Sequence, residues 1–240
     1  MIRLILIAIF LFFFFLISIP LFLIEWLLGK ISMNARHRSS RFIVASAFRM
    51  CMLIAGVKVE VTGKENIPEG ACLFVANHNG FFDILVSYVV TKKVMGFISK
   101  KEIKKVPLLN IWMYYVNCLF IDRENIREGL KTILKAAECI KSGISIFVFP
   151  EGTRSKTGKM APFKEGSMKM AEKSNGIIVP VALTGTAEIL EKSFPRIKSG
   201  TVTIDYGTPI NTNEMSREEK KFLGAYTQQK IQEMLDKRVS

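Results

Sequence analysis

The fold of this chain is decided at a corner that reads Asn77-His78-Asn79-Gly80-Phe81-Phe82-Asp83. The residues before it, 71–76, are an apolar run typical of a buried strand, and residues 81–90 are apolar enough for a packed helix. Between them, Asn79-Gly80 indicates a tight turn. His78 is therefore predicted at the carboxyl end of a strand and Asp83 in the first turn of the next helix. Open α/β sheets place their chemistry at that edge.

His78 and Asp83 are predicted to meet across this corner. On one helix, side chains five residues apart would diverge by about 140°, but a strand–turn–helix corner lets them face each other. A carboxylate on one ring nitrogen fixes the tautomer of an imidazole and leaves the other nitrogen free to take a proton. The alternative is structural, with Asp83 capping the helix and His78 only hydrogen-bonded. The pair by itself leaves both interpretations open.

Strands and helices alternate along the rest of the chain. Strand-like runs lie at 57–62, 71–77, 94–99, 116–122, 144–149, 177–183 and 201–206. Helical patterns lie at 81–90, 127–142, 166–173 and 217–238. This alternation predicts an α/β fold, a mixed and mostly parallel sheet flanked by helices. We place the boundary of this domain near residue 56, so that it covers residues 57–240 and is preceded by N-terminal helices in residues 1–56.

The N-terminal segment predicts a membrane anchor. From Leu4 to Leu28, 22 of 25 residues are apolar, and about 20 such residues in a helix cross a hydrocarbon core of roughly 30 Å. A cleaved signal peptide is the alternative, but no convincing small-x-small cleavage site follows the run. Because Pro20 would kink or end a helix, a spanning helix and a segment that dips into one leaflet both stay open.

Basic residues are biased to the carboxyl side of this apolar run. Only Arg3 precedes the run, whereas four basic residues follow it closely: Lys30, Arg36, Arg38 and Arg41. If the anchor spans the cell membrane, this bias places the C-terminal domain on the cytoplasmic side. Residues 34–55 are predicted to form a second helix, either an interfacial element of a two-helix membrane-anchoring motif or a helix that docks on the core of the domain.

The charge and cysteine content of the chain limit the kinds of binding partner that we expect. The chain has 34 Lys and Arg residues against 21 Asp and Glu residues, a formal net charge of +13, which suits an anionic bilayer, phosphate-bearing substrates or nucleic acid. No nucleic-acid motif is recognisable, so we expect no nucleic-acid partner. The cysteines lack Cys-x-x-Cys spacing and histidine neighbours, which predicts reduced core thiols and no metal site: Cys51, Cys72, Cys118 and Cys139.

Two further motifs place arginines at the ends of predicted strands. In Phe149-Pro150-Glu151-Gly152-Thr153-Arg154-Ser155 the proline ends a strand, the glycine allows a ligand to approach closely, and Arg154 offers planar donors for phosphate. Arg123 follows another strand. The alternative is an ordinary surface turn with solvated cations. Four lysines follow a third strand: Lys100, Lys101, Lys104 and Lys105. We favour Lys105 and Lys100 over the other two as substrate ligands.

The chain resembles the glycerolipid acyltransferase family, and within it the enzymes that act on 1-acylglycerol 3-phosphate. The resemblance rests on the order and spacing of four motifs between residues 77 and 185: the His-x4-Asp corner, Phe120-Ile121-Asp122-Arg123, the 149–155 motif and Val179-Pro180-Val181. One position departs from the family pattern, because Asn117 stands where the family usually has a glycine. This departure concerns the local backbone, since Arg123 is retained.

The resemblance implies direct acyl transfer without an acyl-enzyme. His78, oriented by Asp83, would act as general base on the sn-2 hydroxyl of 1-acylglycerol 3-phosphate. The hydroxyl would attack the thioester of acyl-CoA or an acyl-carrier protein and give phosphatidic acid for phospholipid synthesis. No cofactor is expected, because the thioester is a co-substrate. The acceptor phosphate would be held by Arg123, Glu151, Gly152, Thr153 and Arg154.

The sequence leaves open the oxyanion donors, the acyl acceptor and an alternative functional class. Backbone amides of Val179-Pro180-Val181 or of the Asn79-Gly80 turn are both candidates for stabilising the oxyanion. The acceptor could also be glycerol 3-phosphate or another lysophospholipid. A non-catalytic membrane module that binds anionic lipid is the alternative from another functional class. No Gly-x-Ser-x-Gly elbow is present, which favours direct attack over a covalent serine mechanism.

Overall fold

The structure is a computed structural model that describes residues 1–155 and 157–239. Its helices and strands follow in chain order as α1 (Ile2–Ile31), α2 (Met33–Ala55), β1 (Val57–Thr62), β2 (Leu73–Ala76), α3 (Phe82–Thr91), β3 (Met95–Lys100), α4 (Leu109–Tyr115), β4 (Leu119–Ile121), α5 (Ile126–Lys141), β5 (Ser145–Val148), α6 (Lys169–Ser174), β6 (Ile177–Thr184), α7 (Thr186–Ile189), β7 (Gly200–Tyr206), β8 (Ile210–Asn211), α8 (Arg217–Lys221) and α9 (Leu223–Val239).

The strands form one sheet in the order β1-β7-β6-β2-β5-β3-β4, with β8 also beside β6. β6, β2, β5, β3 and β4 run parallel to one another, whereas β7 and β8 are antiparallel to β6, and β1 follows the direction of β7. The mixed, mostly parallel sheet predicted from the sequence is confirmed. As a consequence, the carboxyl ends of five strands meet at one edge.

Two apolar layers cover the faces of this sheet. Successive side chains of a strand point to opposite faces: Phe74 of β2 packs in the layer that includes α2, α3 and α4, whereas Leu73 and Val75 pack in the layer that includes α5, α6 and α9. All four residues of β2 are fully buried, as expected of a central parallel strand with both faces covered. β2 therefore brings His78, two residues beyond its end, to a rigid part of the edge.

Helix α1 lies along the domain instead of projecting from it. The indole Nε1 of Trp112 in α4 donates to Ser18 Oγ at 2.8 Å, and the Tyr115 hydroxyl donates to the carbonyl of Phe22 at 3.0 Å. Pro20 lies inside the helix, which continues to Ile31 without ending. One side of α1 is therefore fixed to the protein over more than a single turn.

The opposite side of α1 is an exposed apolar surface. α1 is long and apolar enough to cross a membrane by length and composition, and only 6% of its most apolar 18-residue window, with a mean hydropathy of 3.0, is buried. Its large exposed side chains include Phe12, Phe13, Leu16, Ile17, Leu23 and Trp26. This surface could hold the protein in a membrane.

Helix α2 docks on the domain, the second of the two possibilities that the sequence left open. Buried side chains from Val44 to Ala55 face α3 and the sheet. The carboxylate of Glu25 in α1, 1% exposed, accepts from Ser39 Oγ at 2.5 Å and from Ser40 Oγ at 2.6 Å, which joins the two helices. α2 ends at Ala55, Gly56 caps it, and β1 begins at Val57. The division into residues 1–56 and 57–240 stays a prediction.

The predicted helix at 217–238 is wrong in one respect, because the structure has two helices there with a break at Phe222. The first, α8, begins with a capping box between Ser216 and Glu219. The second begins where the carboxylate of Glu165 accepts the backbone N–H groups of Gly224 at 2.7 Å and of Ala225 at 2.9 Å. A cap from a distant residue thus starts a new helix, which local periodicity does not reveal.

Asn117 keeps the backbone conformation that a glycine would supply. Its φ is 61°, in the left-handed region that glycine and asparagine adopt most readily. The conformation brings its carbonyl against β3, where a Cβ on Gly96 would stand only 1.8 Å from the Asn117 oxygen. The departure from the family pattern is therefore a change of side chain at a position whose φ a glycine also adopts readily.

We expect Asn117→Ala to lower the free energy of unfolding by about 1 kcal/mol, because alanine is strained at a positive φ. Asn117→Gly should leave stability near that of the original protein. A melting-temperature comparison in detergent checks this, since 1 kcal/mol corresponds to roughly 2–4 °C for a chain of this size. Equal melting temperatures for the alanine and glycine variants would contradict the explanation.

Candidate active site

His78 and Asp83 meet at the end of β2. The imidazole Nδ1 of His78 lies 2.8 Å from Oδ2 of Asp83, whose side chain is fully buried, while the His78 side chain is 15% exposed. The same carboxylate oxygen accepts the backbone N–H groups of Asn79 at 2.7 Å and of Gly80 at 2.8 Å. An ionised carboxylate only accepts hydrogen bonds. In neutral His78, therefore, Nδ1 carries the hydrogen and Nε2 has a free lone pair.

This geometry joins the two interpretations that the sequence left open. Asp83 fixes the start of α3 through two backbone amides and orients the imidazole through the same oxygen. The turn is held from the other side as well, because the backbone N–H of Phe81 donates to Glu191 Oε1 at 2.8 Å. Three consecutive backbone amides therefore donate to two carboxylates, and the turn that follows the histidine is held in place.

Glu151 holds the backbone of the histidine. Its side chain is 5% exposed, Oε1 accepts from the His78 N–H at 2.7 Å, and Oε2 accepts from the Ala161 N–H at 2.8 Å. Burial raises the pKa of the Glu151 carboxyl above its ordinary value, while the two backbone hydrogen bonds act to lower that pKa. The phosphate-binding role that the resemblance implies for Glu151 stays a prediction, and any such role would act through the backbone that its carboxylate holds.

Phe149 lies against one face of the imidazole. The two ring centroids are 4.1 Å apart with an interplanar angle of 17°. β2 and β5 are adjacent, with Val75 opposite Val148, so Phe149 follows β5 beside the end of β2. The stacking restricts rotation of the imidazole, whose Nδ1 is already held by Asp83.

Arg123 and Gly152 are in direct contact. A guanidinium Nη1 of Arg123 donates to the Gly152 carbonyl, and Gly152 has a φ of 77°. A Cβ on Gly152 would lie 3.1 Å from Lys164 Nζ and 3.8 Å from the Arg123 guanidinium carbon. Burial lowers the pKa of Arg123 from its ordinary value, but an arginine stays charged at any physiological pH. Two cations therefore flank this part of the motif.

Arg154 and Thr153 open onto a different space, a cavity of about 1280 Å³ that also borders Asn79, next to the histidine. Arg154 Nη1 donates to Glu191 Oε1 at 2.6 Å, and the Arg154 side chain is half-exposed. Among the predicted phosphate ligands, Arg154 and Thr153 line this cavity, whereas Arg123 and Gly152 do not. The structure thus separates the predicted cations into two groups.

Lys100 and Lys105 are exposed, and among the described residues neither forms a hydrogen bond or an ion pair with another predicted site residue. Lys100 ends β3 opposite Ile121 of β4, two residues before Arg123. Lys101 instead forms an ion pair with Asp122 at 2.8 Å, which lowers the pKa of Asp122 through a side-chain hydrogen bond. The assignment of Lys100 and Lys105 to substrate binding stays a prediction.

One of the two groups of candidate oxyanion donors is already engaged. The amides of Asn79 and Gly80 donate to Asp83. Val179-Pro180-Val181 lies inside β6, which has hydrogen-bonded neighbours on both sides.

Within the described ranges no group of three or more His, Cys, Asp or Glu side chains is placed to hold a metal ion. The cysteines are free, and burial raises the pKa of Cys51 and of Cys118 to about 11.

The sequence analysis did not predict the contacts that Phe149 and Glu191 make in the site. Phe149 had a usable signal, because it ends the predicted strand 144–149 and begins the 149–155 motif. Glu191 had none. It lies in a short 3₁₀ turn after α7, outside every motif, and reaches Arg154 and Phe81 only through the tertiary fold.

The fold and the site define an α/β enzyme with a histidine–aspartate pair at the carboxyl edge of its sheet. A family model described as acyltransferase matches residues 58–184, and the chain belongs to this acyltransferase family. The recognition and the enzyme class predicted from the motifs are confirmed.

Relatives of known name cover most of the chain. A 1-acyl-sn-glycerol-3-phosphate acyltransferase of Cocos nucifera is 33% identical over 77% of this chain and 60% of its own length. The enzyme of that name from Borreliella burgdorferi is 30% identical over 83% of this chain and 80% of its own. The crystal structure of the 1-acyl-sn-glycerophosphate acyltransferase PlsC of Thermotoga maritima superposes with a TM-score of 0.79 and 26% identity, covering 98% of this chain and 97% of that one.

Glu151→Gln should reduce both stability and turnover. A glutamine presents one acceptor oxygen and one NH₂ group to two backbone donors, so one donor loses its partner, at a cost of about 1–3 kcal/mol in the free energy of unfolding. We expect kcat to fall more than KM for the acceptor rises, because His78 is displaced. Thermal melting and steady-state kinetics check this, with the half-exposed Glu128→Gln as the matched control. An unchanged melting temperature with a raised acceptor KM would instead favour the role implied by the resemblance.

Proposed function

We propose that this protein transfers a fatty acyl group from a thioester to the sn-2 hydroxyl of 1-acylglycerol 3-phosphate, giving phosphatidic acid in phospholipid synthesis. The observation that carries the proposal is the 2.8 Å contact between His78 Nδ1 and Asp83 Oδ2, which leaves Nε2 free as a base. The names of the relatives support the choice of acceptor.

The chemistry needs one base and no acyl-enzyme. Nε2 of His78 takes the proton of the acceptor hydroxyl as its oxygen attacks the thioester carbonyl carbon. The tetrahedral intermediate then collapses, the carbon–sulfur bond breaks, and the imidazolium returns the proton to the thiolate that leaves. Asp83 stabilises the imidazolium and holds it in place. A base of this kind contributes about 10²–10⁴-fold, so the positioning of both substrates must supply much of the remaining rate enhancement.

Arg154 is the best-placed cation for the acceptor phosphate. It lines the cavity that reaches Asn79, beside the histidine, and an arginine fork binds phosphate through two parallel hydrogen bonds. Its present partner is Glu191, so phosphate binding requires that Arg154 exchange one anionic partner for another. Arg123, which is also exposed, donates to the Gly152 carbonyl of the same loop.

The apolar surface of α1 suits a lipid substrate. Because contacts with α4 hold one side of α1 to the domain, we propose that its exposed side lies in one leaflet of the cell membrane, with the domain on the cytoplasmic side. Lysophosphatidate and its product reside in the bilayer, whereas acyl-CoA and acyl-carrier protein are in the cytoplasm. An enzyme at this interface has access to both substrates.

The contrast between His78→Ala and Arg154→Ala tests the proposal. Without its base, His78→Ala should lose about 10²–10⁴-fold in kcat with little change in KM. Arg154→Ala should raise KM for 1-acylglycerol 3-phosphate, with a loss in kcat/KM of roughly 1.5–3 kcal/mol. The measurement is the release of free thiol from acyl-CoA and from acyl-carrier protein, with mass spectrometry of the lipid product.

The acceptor panel includes glycerol 3-phosphate and lysophosphatidylcholine, and Arg127→Ala, an exposed arginine on α5, is the matched control. Faster turnover of another acceptor would replace the proposed substrate. If His78→Ala folds and keeps near-original turnover, the proposed mechanism is wrong.

Lysine substitutions on the exposed side of α1 should release the protein from membranes. Phe12 and Leu16 lie one turn apart and are 66% and 54% exposed, so Phe12→Lys with Leu16→Lys should reduce flotation with vesicles after detergent dilution without lowering the melting temperature. The matched control is Phe222→Lys. Phe222 is also 66% exposed but lies between α8 and α9, distant from α1 in the sequence. Unchanged flotation of the double variant would contradict the proposed anchoring surface.

A further inference from the structure

A second cavity lies away from the candidate active site, at the elbow between α1 and α2. This elbow pocket, of about 540 Å³, is closed on its other side by α4 and the turn before it, and it shares no lining residue with the cavity at Arg154. Its polar and aromatic lining includes Lys30, Arg36, Lys104, Asn110, Tyr114 and Tyr115. Three of the lining side chains are cations and none is a carboxylate. The pocket therefore favours an anionic ligand.

Arg36 is the central group of the elbow pocket. It is only 9% exposed, and its Nε is buried without a hydrogen-bond partner. Among the described residues it forms no ion pair, and its guanidinium carbon lies 5.2 Å from the ring centroid of Tyr115 and 5.8 Å from that of Tyr114. A buried guanidinium without an anion is costly. Phosphate oxygens match its planar set of donors.

The path of Arg36 depends on Gly29. A Cβ at Gly29 would lie 2.8 Å from Nη1 of Arg36 and 2.9 Å from its Cδ, so the glycine leaves room for the arginine to cross the last turns of α1. Glu25 is the carboxylate on this part of α1, and both of its oxygens accept from serines of α2, Ser39 and Ser40. It is therefore engaged elsewhere, and Arg36 faces the pocket.

Two further features favour a lipid phosphate. The 23-residue helix α2 begins at Met33, which also lines the pocket, and a helix N-terminus attracts anions. The pocket also opens beside the exposed apolar side of α1, where Trp26 is 50% and Ile31 84% exposed. Tryptophan and lysine at the end of an apolar helix are typical of the headgroup level of a bilayer.

We propose that the elbow pocket binds the phosphodiester of an anionic phospholipid headgroup, with Arg36 as the main ligand and Lys30 and Lys104 beside it. The ligand is a lipid of the bilayer in which α1 lies and is neither the acyl acceptor nor the donor. Binding there fixes the depth and orientation of the two N-terminal helices at the membrane surface.

The test titrates the full-length protein, in non-ionic detergent at 0.15 M salt concentration (about the physiological ionic strength), with soluble dihexanoyl phosphatidylglycerol. Fluorescence of Trp26, which lines the pocket, reports binding, since Trp112 is buried elsewhere. Arg36→Gln should weaken binding about tenfold or more, through loss of charge-assisted hydrogen bonds. Lys104→Gln, an exposed position that leaves folding intact, should weaken it severalfold. Dihexanoyl phosphatidylcholine and inorganic phosphate should bind more weakly than phosphatidylglycerol.

Two controls separate this site from general charge effects and from the active site. Arg38→Gln removes one positive charge from the exposed side of α2 and should leave the affinity unchanged, as should Arg154→Ala. If Arg38→Gln weakens binding as much as Arg36→Gln and Lys104→Gln, the attraction is nonspecific and the proposal fails. If Arg154→Ala abolishes binding, the lipid occupies the active site, which also overturns the proposal. Equal affinity for inorganic phosphate would show that no headgroup is recognised.

Discussion

One carboxylate oxygen, Oδ2 of Asp83, organises the site. It accepts from the imidazole of His78 and from two successive backbone amides, at 2.7–2.8 Å each, in a fully buried position where such charge-assisted bonds are strong. The corner after β2, the start of α3 and the direction of the imidazole are therefore fixed together. Gly80 is part of this arrangement, because a Cβ there would stand 2.8 Å from Glu191 and 2.9 Å from the backbone of Thr186.

The parallel part of the sheet explains why distant motifs meet at this corner. β2 and β5 are neighbours, so the chain segments that follow them place His78 beside Phe149 and Glu151. Arg154 belongs to the loop that follows β5, whereas Arg123 follows β4 and contacts that loop from another element. The Arg123 guanidinium donates to the Gly152 carbonyl of this loop, and Arg154 lines the large cavity, where it forms an ion pair with Glu191. A rigidly held histidine and an arginine that is paired with Glu191 thus lie at one edge of the sheet.

Much of this arrangement is predictable from the sequence. Apolar runs and turn residues indicated the strand–helix corner, and alternation along the chain indicated the α/β sheet, because both are local patterns. Contacts made by single side chains across the fold were not accessible: the cap that Glu165 provides for α9, the Glu191 bridge, and the docking of α1 on Trp112. The apolar composition of α1 predicted a membrane helix, but composition does not reveal that one side of it is packed on protein.

The most direct test of the central claim is the tautomer of His78. The chain has two histidines, so ¹⁵N NMR of the labelled imidazoles, with His37→Gln for assignment, reports each nitrogen separately. For neutral His78 we expect hydrogen on Nδ1 and none on Nε2, and a shift toward the other tautomer in Asp83→Asn. A neutral His78 with its hydrogen on Nε2 in the original protein would contradict the proposal that Asp83 prepares Nε2 to act as the base.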